Sequence, residues 1–279
     1  MSEFMISPGL IMIMGALLIP ILNGSLRAVV LLSLPILTLA AVWMLPADTS
    51  LQINFLEYTL EPVRSSVEGR LFATVFSIMA FAGGLYAYRH ASTTELTAAF
   101  IYAGSAIGVT FAGDLLTLFI FWEIMALGST VVIWSAGTDS AYRAGMRYLL
   151  VHLLGGVILM AGIVAYVIDT GSLEFTSMQT DSIGTWLILT GFLVNAGAPP
   201  LSAWIADAYP EASPSGMVFL SAFTTKTAVF ALLVGFPGTA ILIPIGLYMV
   251  FYGIIYALLE NDMRRILAYS IVNQVGFMV

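Results

Sequence analysis

An all-α polytopic membrane protein is what this chain predicts, and three observations carry the prediction. Hydrophobic residues make up 60% of the 279 positions and charged residues only 9%, against roughly a quarter charged in ordinary soluble domains. Apolar stretches of span length follow one another along the chain, too many and too long for a globular core. Proline and glycine fall inside several of them, as at Pro20, Pro35 and the Gly155–Gly156 pair, which membrane helices tolerate when neighbours satisfy the backbone. About ten transmembrane helices are predicted, over 8–22, 26–46, 67–88, 94–111, 114–134, 145–168, 184–201, 214–236, 239–259 and from about 263 onward, one of them discontinuous.

Taken in order, the opening MSEFMI has no basic region and no small-residue cleavage site follows it. The first helix is therefore expected to stay as a span rather than leave as a signal peptide. The polar loop 47–67 contains LQINFLEYTL, a candidate short strand or hairpin on the outer surface. Arginines set the orientation. Arg27, Arg89, Arg143, Arg147, Arg264 and Arg265 fall on one side of the helix count, while only Arg64 and Arg70 fall on the other, among Asp48, Glu57, Glu61 and Glu68. Excess arginine marks the cytoplasmic face, so the N-terminus is predicted outside. No internal repeat is visible in the letters, as is common for inverted repeats.

Composition also excludes function classes. The chain has no cysteine, which rules out disulfides and cysteine-ligated zinc or iron–sulfur centres within it. Two histidines, His90 and His152, make no imidazole cluster, and a net charge of −7 argues against nucleic acid as a partner. No cofactor is expected.

Chemistry is expected where charge enters the apolar spans. Asp114 to Trp134, DLLTLFIFWEIMALGSTVVIW, carries Glu123 as its only interior charge. A carboxylate at that depth must be protonated, paired or open to a polar cavity, because hydrocarbon penalises a bare charge. It serves either as a structural pair or as a proton or ion relay. Asp114 itself is placed to cap the helix. Lys226, the only lysine in the chain, lies at the centre of the 214–236 span, too deep for its stem to reach water. If the two helices touch, burial favours the neutral forms of Glu123 and Lys226 and pairing favours the charged ones. His152 lies about a third of the way through the 145–168 helix, as a proton relay between waters or as a donor to one carbonyl.

The span 184–201 ends in NAGAPPLSAW. Pro199 and Pro200 remove two amide donors, so the helix is predicted to kink or unwind there, with Asn195 and Ser202 candidates to satisfy freed carbonyls. The following ADAYPEASPSG is too polar to span, and Pro214 opens the next helix. In the last stretch, Asp262 is a candidate cap, Arg264 and Arg265 anchor the helix start, and Ser270, Asn273 and Gln274 either line a hydrated path or join neighbouring helices.

Four stretches in this order, FIFWEIM around Glu123, PPLSAWIADAYPEASPSG from Pro199, TTKTAVFALL around Lys226 and NDMRRILAYSIVNQVGF, together resemble the antiporter-like proton-translocating subunits. That family is shared by respiratory complex I, multisubunit sodium/proton antiporters and membrane-bound hydrogenases. The resemblance runs from about residue 70 to the end. It implies three N-terminal helices and an outer loop over 1–93, a complete five-helix unit over 94–236, and the start of an inverted second unit over 239–279. The family's intramembrane glutamate matches Glu123, its lysine in the last helix of the first unit matches Lys226, and its cytoplasmic-side histidine corresponds to His152.

Departures from the pattern are specific. The family carries a lysine before the proline segment where this chain has Asn195, and PLHxWLPDAH or PLHxWLPDAY becomes PLSAWIADAY, so Ser202 replaces a histidine and Ala206 a proline. Asn195 cannot carry a proton or pair with Glu123. Lys226 pairs with Glu123 instead, or this half-channel is altered. The resemblance implies later helices of the second unit beyond this sequence, either in a separately encoded C-terminal half or because the chain is incomplete, and a partner subunit is expected to cover the exposed half-unit. The resemblance implies an ion-translocating subunit of a multisubunit cation/proton antiporter, moving protons and Na+ or another cation among lipids and other membrane subunits. The alternatives are the conduction subunit of a complex I-like or hydrogenase-like redox complex, and a non-conducting scaffold.

Overall fold

The computed structural model of the protein describes residues 5–279. Twelve α-helices and one β-hairpin follow in order: α1 (Pro8–Ala16), α2 (Gly24–Met44), β1 (Ser50–Phe55), β2 (Tyr58–Arg64), α3 (Val67–Ala87), α4 (Thr93–Thr110), α5 (Leu115–Trp134), α6 (Asp139–Thr170), α7 (Ile183–Ala196), α8 (Ala203–Ala208), α9 (Pro214–Ala222), α10 (Thr224–Gly235), α11 (Leu242–Leu259) and α12 (Met263–Met278). A 3-10 turn, Tyr209–Glu211, follows α8. Six stretches are individually long and apolar enough to cross a membrane: α2, α3, α5, α6, the α9–α10 pair and α11. Beyond these six, the expectation of about ten spans rests on α1, α4, α7 and α12.

Helix α4 is the centre of the bundle. It is buried along nearly its whole length and packs against α1, α3, α5, α9 and α10. Its small residues make this possible: Gly104 and Gly108, four apart, present bare backbone to Gly9 of α1, the close approach by which membrane helices gain van der Waals contact without a hydrophobic drive. The same device joins α11 to α12, where Gly246 faces Gly276 and Gly253 faces Asn273. There Asn273 Nδ2 donates to Val250 C=O at 2.9 Å, so this deep polar group joins two helices.

Helix ends follow local chemistry. Ser66, Ser92, Asp114, Thr138, Ser182, Ser213 and Asp262 each accept a backbone N–H at an N-terminus, satisfying donors that have no intrahelical partner. Helix α6 starts at Asp139, six residues before the expected 145, because Thr138 caps it there. Helix α7 stops at Ala196, five residues before the expected 201, where Gly197 takes a φ of 78°, a C-cap conformation that suits glycine.

Charged residues sort to the two ends of the bundle. At one end Arg27 donates to Thr93 Oγ1 at 2.6 Å, Arg147 makes a two-point ion pair with Asp207 at 2.7 and 2.8 Å, and Arg264 donates to Pro210 C=O at 2.6 Å. Glu95, 3% exposed, accepts from Ser213 Oγ at 2.7 Å and from Ser215 Oγ, tying the start of α4 to the start of α9. At the other end the hairpin forms where LQINFLEYTL suggested it, with Ser50 opposite Arg64 and Phe55 opposite Tyr58. Arg64 binds Glu61, Glu174 and Phe175 C=O there, and buried Asp114 accepts from Thr117 N–H and Glu61 N–H at 2.7 and 2.9 Å. Desolvation works against the Glu61 carboxylate, yet donors from Gln52 and Arg64 outweigh it and hold Glu61 below its ordinary range.

A Cβ on Gly276 would sit 2.7 Å from Gly246 C=O and 2.8 Å from the Val250 amide nitrogen, rigid backbone that cannot give way cheaply. Gly276→Ala is therefore expected to separate α11 from α12 and cost about 1–3 kcal/mol, read as a lower thermal unfolding midpoint of the detergent-solubilised protein. An unchanged midpoint would contradict this packing.

A polar seam between the helices

Sequence singled out Glu123, His152, Asn195, Ser202 and Lys226, and the fold gathers the first three along one helix. His152, Gly155 and Gly156 lie three and four residues apart on α6 and are buried, so they share a face. Gly156 leaves no room for a Cβ because the Glu123 carboxylate from α5 occupies that space. Against Gly155, a Cβ would lie 3.3 Å from Asn195 Oδ1 of α7. The glycine pair thus lets a carboxylate and an amide reach the same helix, with His152 one turn away. His152 Nδ1 lies 2.9 Å from Tyr148 C=O, and its ring stacks on Tyr148 at 3.9 Å and meets Trp204 edge-on at 4.6 Å.

The break after α7 falls where Pro199 and Pro200 placed it. Asn195 and Ser202 do not satisfy the freed carbonyls, contrary to expectation. At the end of α7, Val194 C=O accepts from both Gly197 N–H at 3.1 Å and the Trp204 indole Nε1–H at 3.0 Å. A rigid ring folded back from α8 spans the gap that a short side chain cannot. Asn195 Oδ1 and Nδ2, Ser202 Oγ, His152 Nε2 and Glu123 Oε1 are all buried atoms with no hydrogen-bond partner among the described residues.

A second break was not foreseen. The expected continuous helix 214–236 is divided at Phe223, with φ −111° and ψ −68°. No proline or glycine stands there. Lys226 lies just beyond it and donates to Ser221 C=O at 2.8 Å, at the C-terminal end of α9, where a cation is favoured. The expected pairing with Glu123 is not present: among the described residues the ion pairs are Arg64–Glu61, Arg64–Glu174 and Arg147–Asp207.

Sequence reasoning passed over the hydroxyl cluster beside Lys226. Tyr148 Oη donates to Ser129 Oγ at 2.8 Å and lies 3.3 Å from Thr224 Oγ1, which in turn lies 2.6 Å from Tyr102 Oη. Four helices, α4, α5, α6 and α10, contribute one hydroxyl each. A tyrosine or threonine in an apolar span carries no local signal of its partners. The cluster connects the α6 seam to the break that holds Lys226.

Trp204→Phe keeps the aromatic contacts with His152 and Tyr148 but removes one of the two donors to Val194 C=O, leaving Gly197 N–H. A cost of about 0.5–1.5 kcal/mol is expected for the lost hydrogen bond, with a lower unfolding midpoint at unchanged helical content. A variant as stable as the wild type would show that the indole N–H is not what closes the break.

Comparison with known proteins bears on this arrangement. A family model described as NADH:quinone oxidoreductase/Mrp antiporter, TM, matches residues 112–279. A Na(+)/H(+) antiporter subunit of Alkalihalophilus pseudofirmus is 30% identical over 64% of this chain and 40% of its own length. An NADH-quinone oxidoreductase subunit of Pseudomonas aeruginosa is 28% identical over 63% of this chain and 40% of its own. The chain thus spans about 40% of the length of these curated relatives. A chain of an archaeal membrane-bound sulfane sulfur reductase superposes with a TM-score of 0.83 at 23% identity, over 99% of this chain and 63% of that one. A chain of the Mrp complex from a Dietzia species gives 0.78 at 20% identity, over 97% and 57%. At these identities the superpositions show a shared fold, and the family match covers more than half of the sequence: the chain belongs to the NADH:quinone oxidoreductase/Mrp antiporter transmembrane family.

Proposed function

We propose that this chain is an ion-translocating component of a multisubunit membrane complex, of the cation/proton antiporter kind. The supporting observation is the polar seam: among the described residues Glu123 and Lys226 lie inside apolar helices without an ionic partner, and buried polar atoms of Asn195, His152, Ser202 and Glu123 have no hydrogen-bond partner. Buried polar atoms in folded proteins are satisfied by ordered water where protein donors and acceptors are lacking. A run of such waters beside two titratable groups is a route for protons.

In this reading Glu123 gates the route from α5 and Lys226 accepts and passes a proton on α10. His152, Asn195 and Ser202 order water between them. A change of protonation at one site alters the charge balance felt at the next, which is the coupling that transport requires. Residues 94–236 act as the first five-helix unit, residues 1–93 precede it, and residues 239–279 begin an inverted second unit whose partner surface other subunits complete. The end of the bundle that gathers Arg27, Arg147 and Arg264 faces the cytoplasm by the positive-inside rule, with the N-terminus outside, in a bacterial inner membrane.

The superposition on a sulfane sulfur reductase chain favours a second reading, conduction driven by redox subunits elsewhere in the assembly. Mass spectrometry of the complex purified through this chain in mild detergent separates the two: flavin- or iron–sulfur-bearing partners support the redox assignment, and small antiporter-type subunits support exchange. A scaffold role, suggested by Asn195 in place of a lysine, predicts that neutralising Glu123 and Lys226 together leaves transport intact.

Lys226→Ala and Glu123→Gln, each in the assembled complex, are expected to abolish ion-coupled proton movement in membrane vesicles while assembly on native gels is retained. Wild-type transport in Lys226→Ala would sink the role assigned to that residue.

A further inference from the structure

In an unbroken helix, Thr224 N–H would donate to Leu220 C=O and Thr225 N–H to Ser221 C=O, each four residues back. Neither carbonyl is used in that way here. Thr224 N–H donates to Tyr102 Oη at 2.8 Å, and the same hydroxyl reaches Leu220 C=O at 3.5 Å. Ser221 C=O, the next carbonyl, receives Lys226 Nζ at 2.8 Å. The ladder resumes with Thr227 N–H on Phe223 C=O, also at 2.8 Å.

We infer that Tyr102 is a positioning residue: its hydroxyl, inserted from α4 into the backbone ladder between Leu220 and Thr224, opens the helix and frees the Ser221 carbonyl for the Lys226 amine. An inserted side chain is one of the few physical causes of a sharp helix break, and Phe223, where this one falls, is neither proline nor glycine. The ring is held for the task. Its Cα and Cβ sit over Gly128 of α5, where a Cβ would come within 3.2 Å, and its face meets the edge of Phe223 at 5.2 Å and 82°. Tyr102 is fully buried, and α4 is the most enclosed helix of the bundle, so the hydroxyl is delivered by a rigid support.

The consequence concerns Lys226. A lysine at this depth needs an oxygen ligand, and the break leaves Ser221 C=O without its amide donor, so the carbonyl is turned to the amine. Opening the ladder supplies that ligand. This inference rests on the translocation role proposed for Lys226 as far as transport is concerned, but the geometry of the break is testable without it.

Tyr102→Phe removes the hydroxyl and keeps the ring. In the purified complex, cryo-electron microscopy of this variant is expected to show one continuous helix from Pro214 to Gly235, with Thr224 N–H on Leu220 C=O and Lys226 withdrawn from Ser221. Amide exchange of the peptide spanning 220–227 is expected to slow in the same sample. Turnover should fall about ten- to a hundredfold, the range for loss of one hydrogen bond to a charged group, while the half-saturating cation concentration stays within about twofold because ion binding is not touched. Persistence of the break in Tyr102→Phe overturns the inference. A closed helix with wild-type turnover overturns the positioning role. Full transport in Lys226→Ala refutes instead the translocation role of that residue, whatever the helix does.

Discussion

Inside a bilayer no water competes for the backbone, so every peptide N–H and C=O must find a partner within the protein. Most of this chain meets that demand with unbroken helices. The interest lies in the two places where it does not, after Ala196 and at Phe223, and in the side chains that make good the loss. Trp204 covers one carbonyl at the first break; Tyr102 and Lys226 cover an amide and a carbonyl at the second. The first break adjoins Asn195 and Ser202, proposed to order water, and the second adjoins Lys226, proposed to pass a proton. Freed backbone groups and buried titratable groups need the same polar surroundings, so they collect in one place.

Close packing is what brings those surroundings together. Gly155 and Gly156 allow side chains from α5 and α7 to reach α6, and the glycines of α4 allow α1 to lie directly on its backbone. Small residues thereby serve two ends: they replace the hydrophobic drive that lipid removes, and they leave room for a carboxylate and an amide between helices. The hydroxyl cluster of Tyr102, Thr224, Tyr148 and Ser129 then ties four helices at the level of Lys226.

Charge outside the spans does separate work. Arg64 with Glu61 and Glu174, and Asp114 with the hairpin backbone, fasten one end of the bundle. Arg147 with Asp207, and Glu95 with Ser213 and Ser215, fasten the other. The proposed route runs between two stapled ends. Relatives named as antiporter and as quinone oxidoreductase subunits are similar to this chain at 30% and 28% identity.

Much of this was legible in the letters. Length and apolarity mark six of the spans, because 1.5 Å per residue must be matched to the hydrocarbon thickness. Proline at 199 and 200 fixes the first break by removing amide donors, and Asp114 and Asp262 announce helix starts by their capping chemistry. Glu123 and Lys226 stand out because a charge in hydrocarbon is costly wherever its helix turns. Rotation and contact were not legible. That Glu123 lies against Gly156, that Lys226 binds a carbonyl at the end of α9 rather than Glu123, and that Trp204 rather than Asn195 or Ser202 reaches Val194 C=O all depend on how helices face one another. The break at Phe223 is the clearest case: its cause is a hydroxyl on Tyr102, 121 residues away in sequence, and no local propensity encodes a partner delivered by another helix.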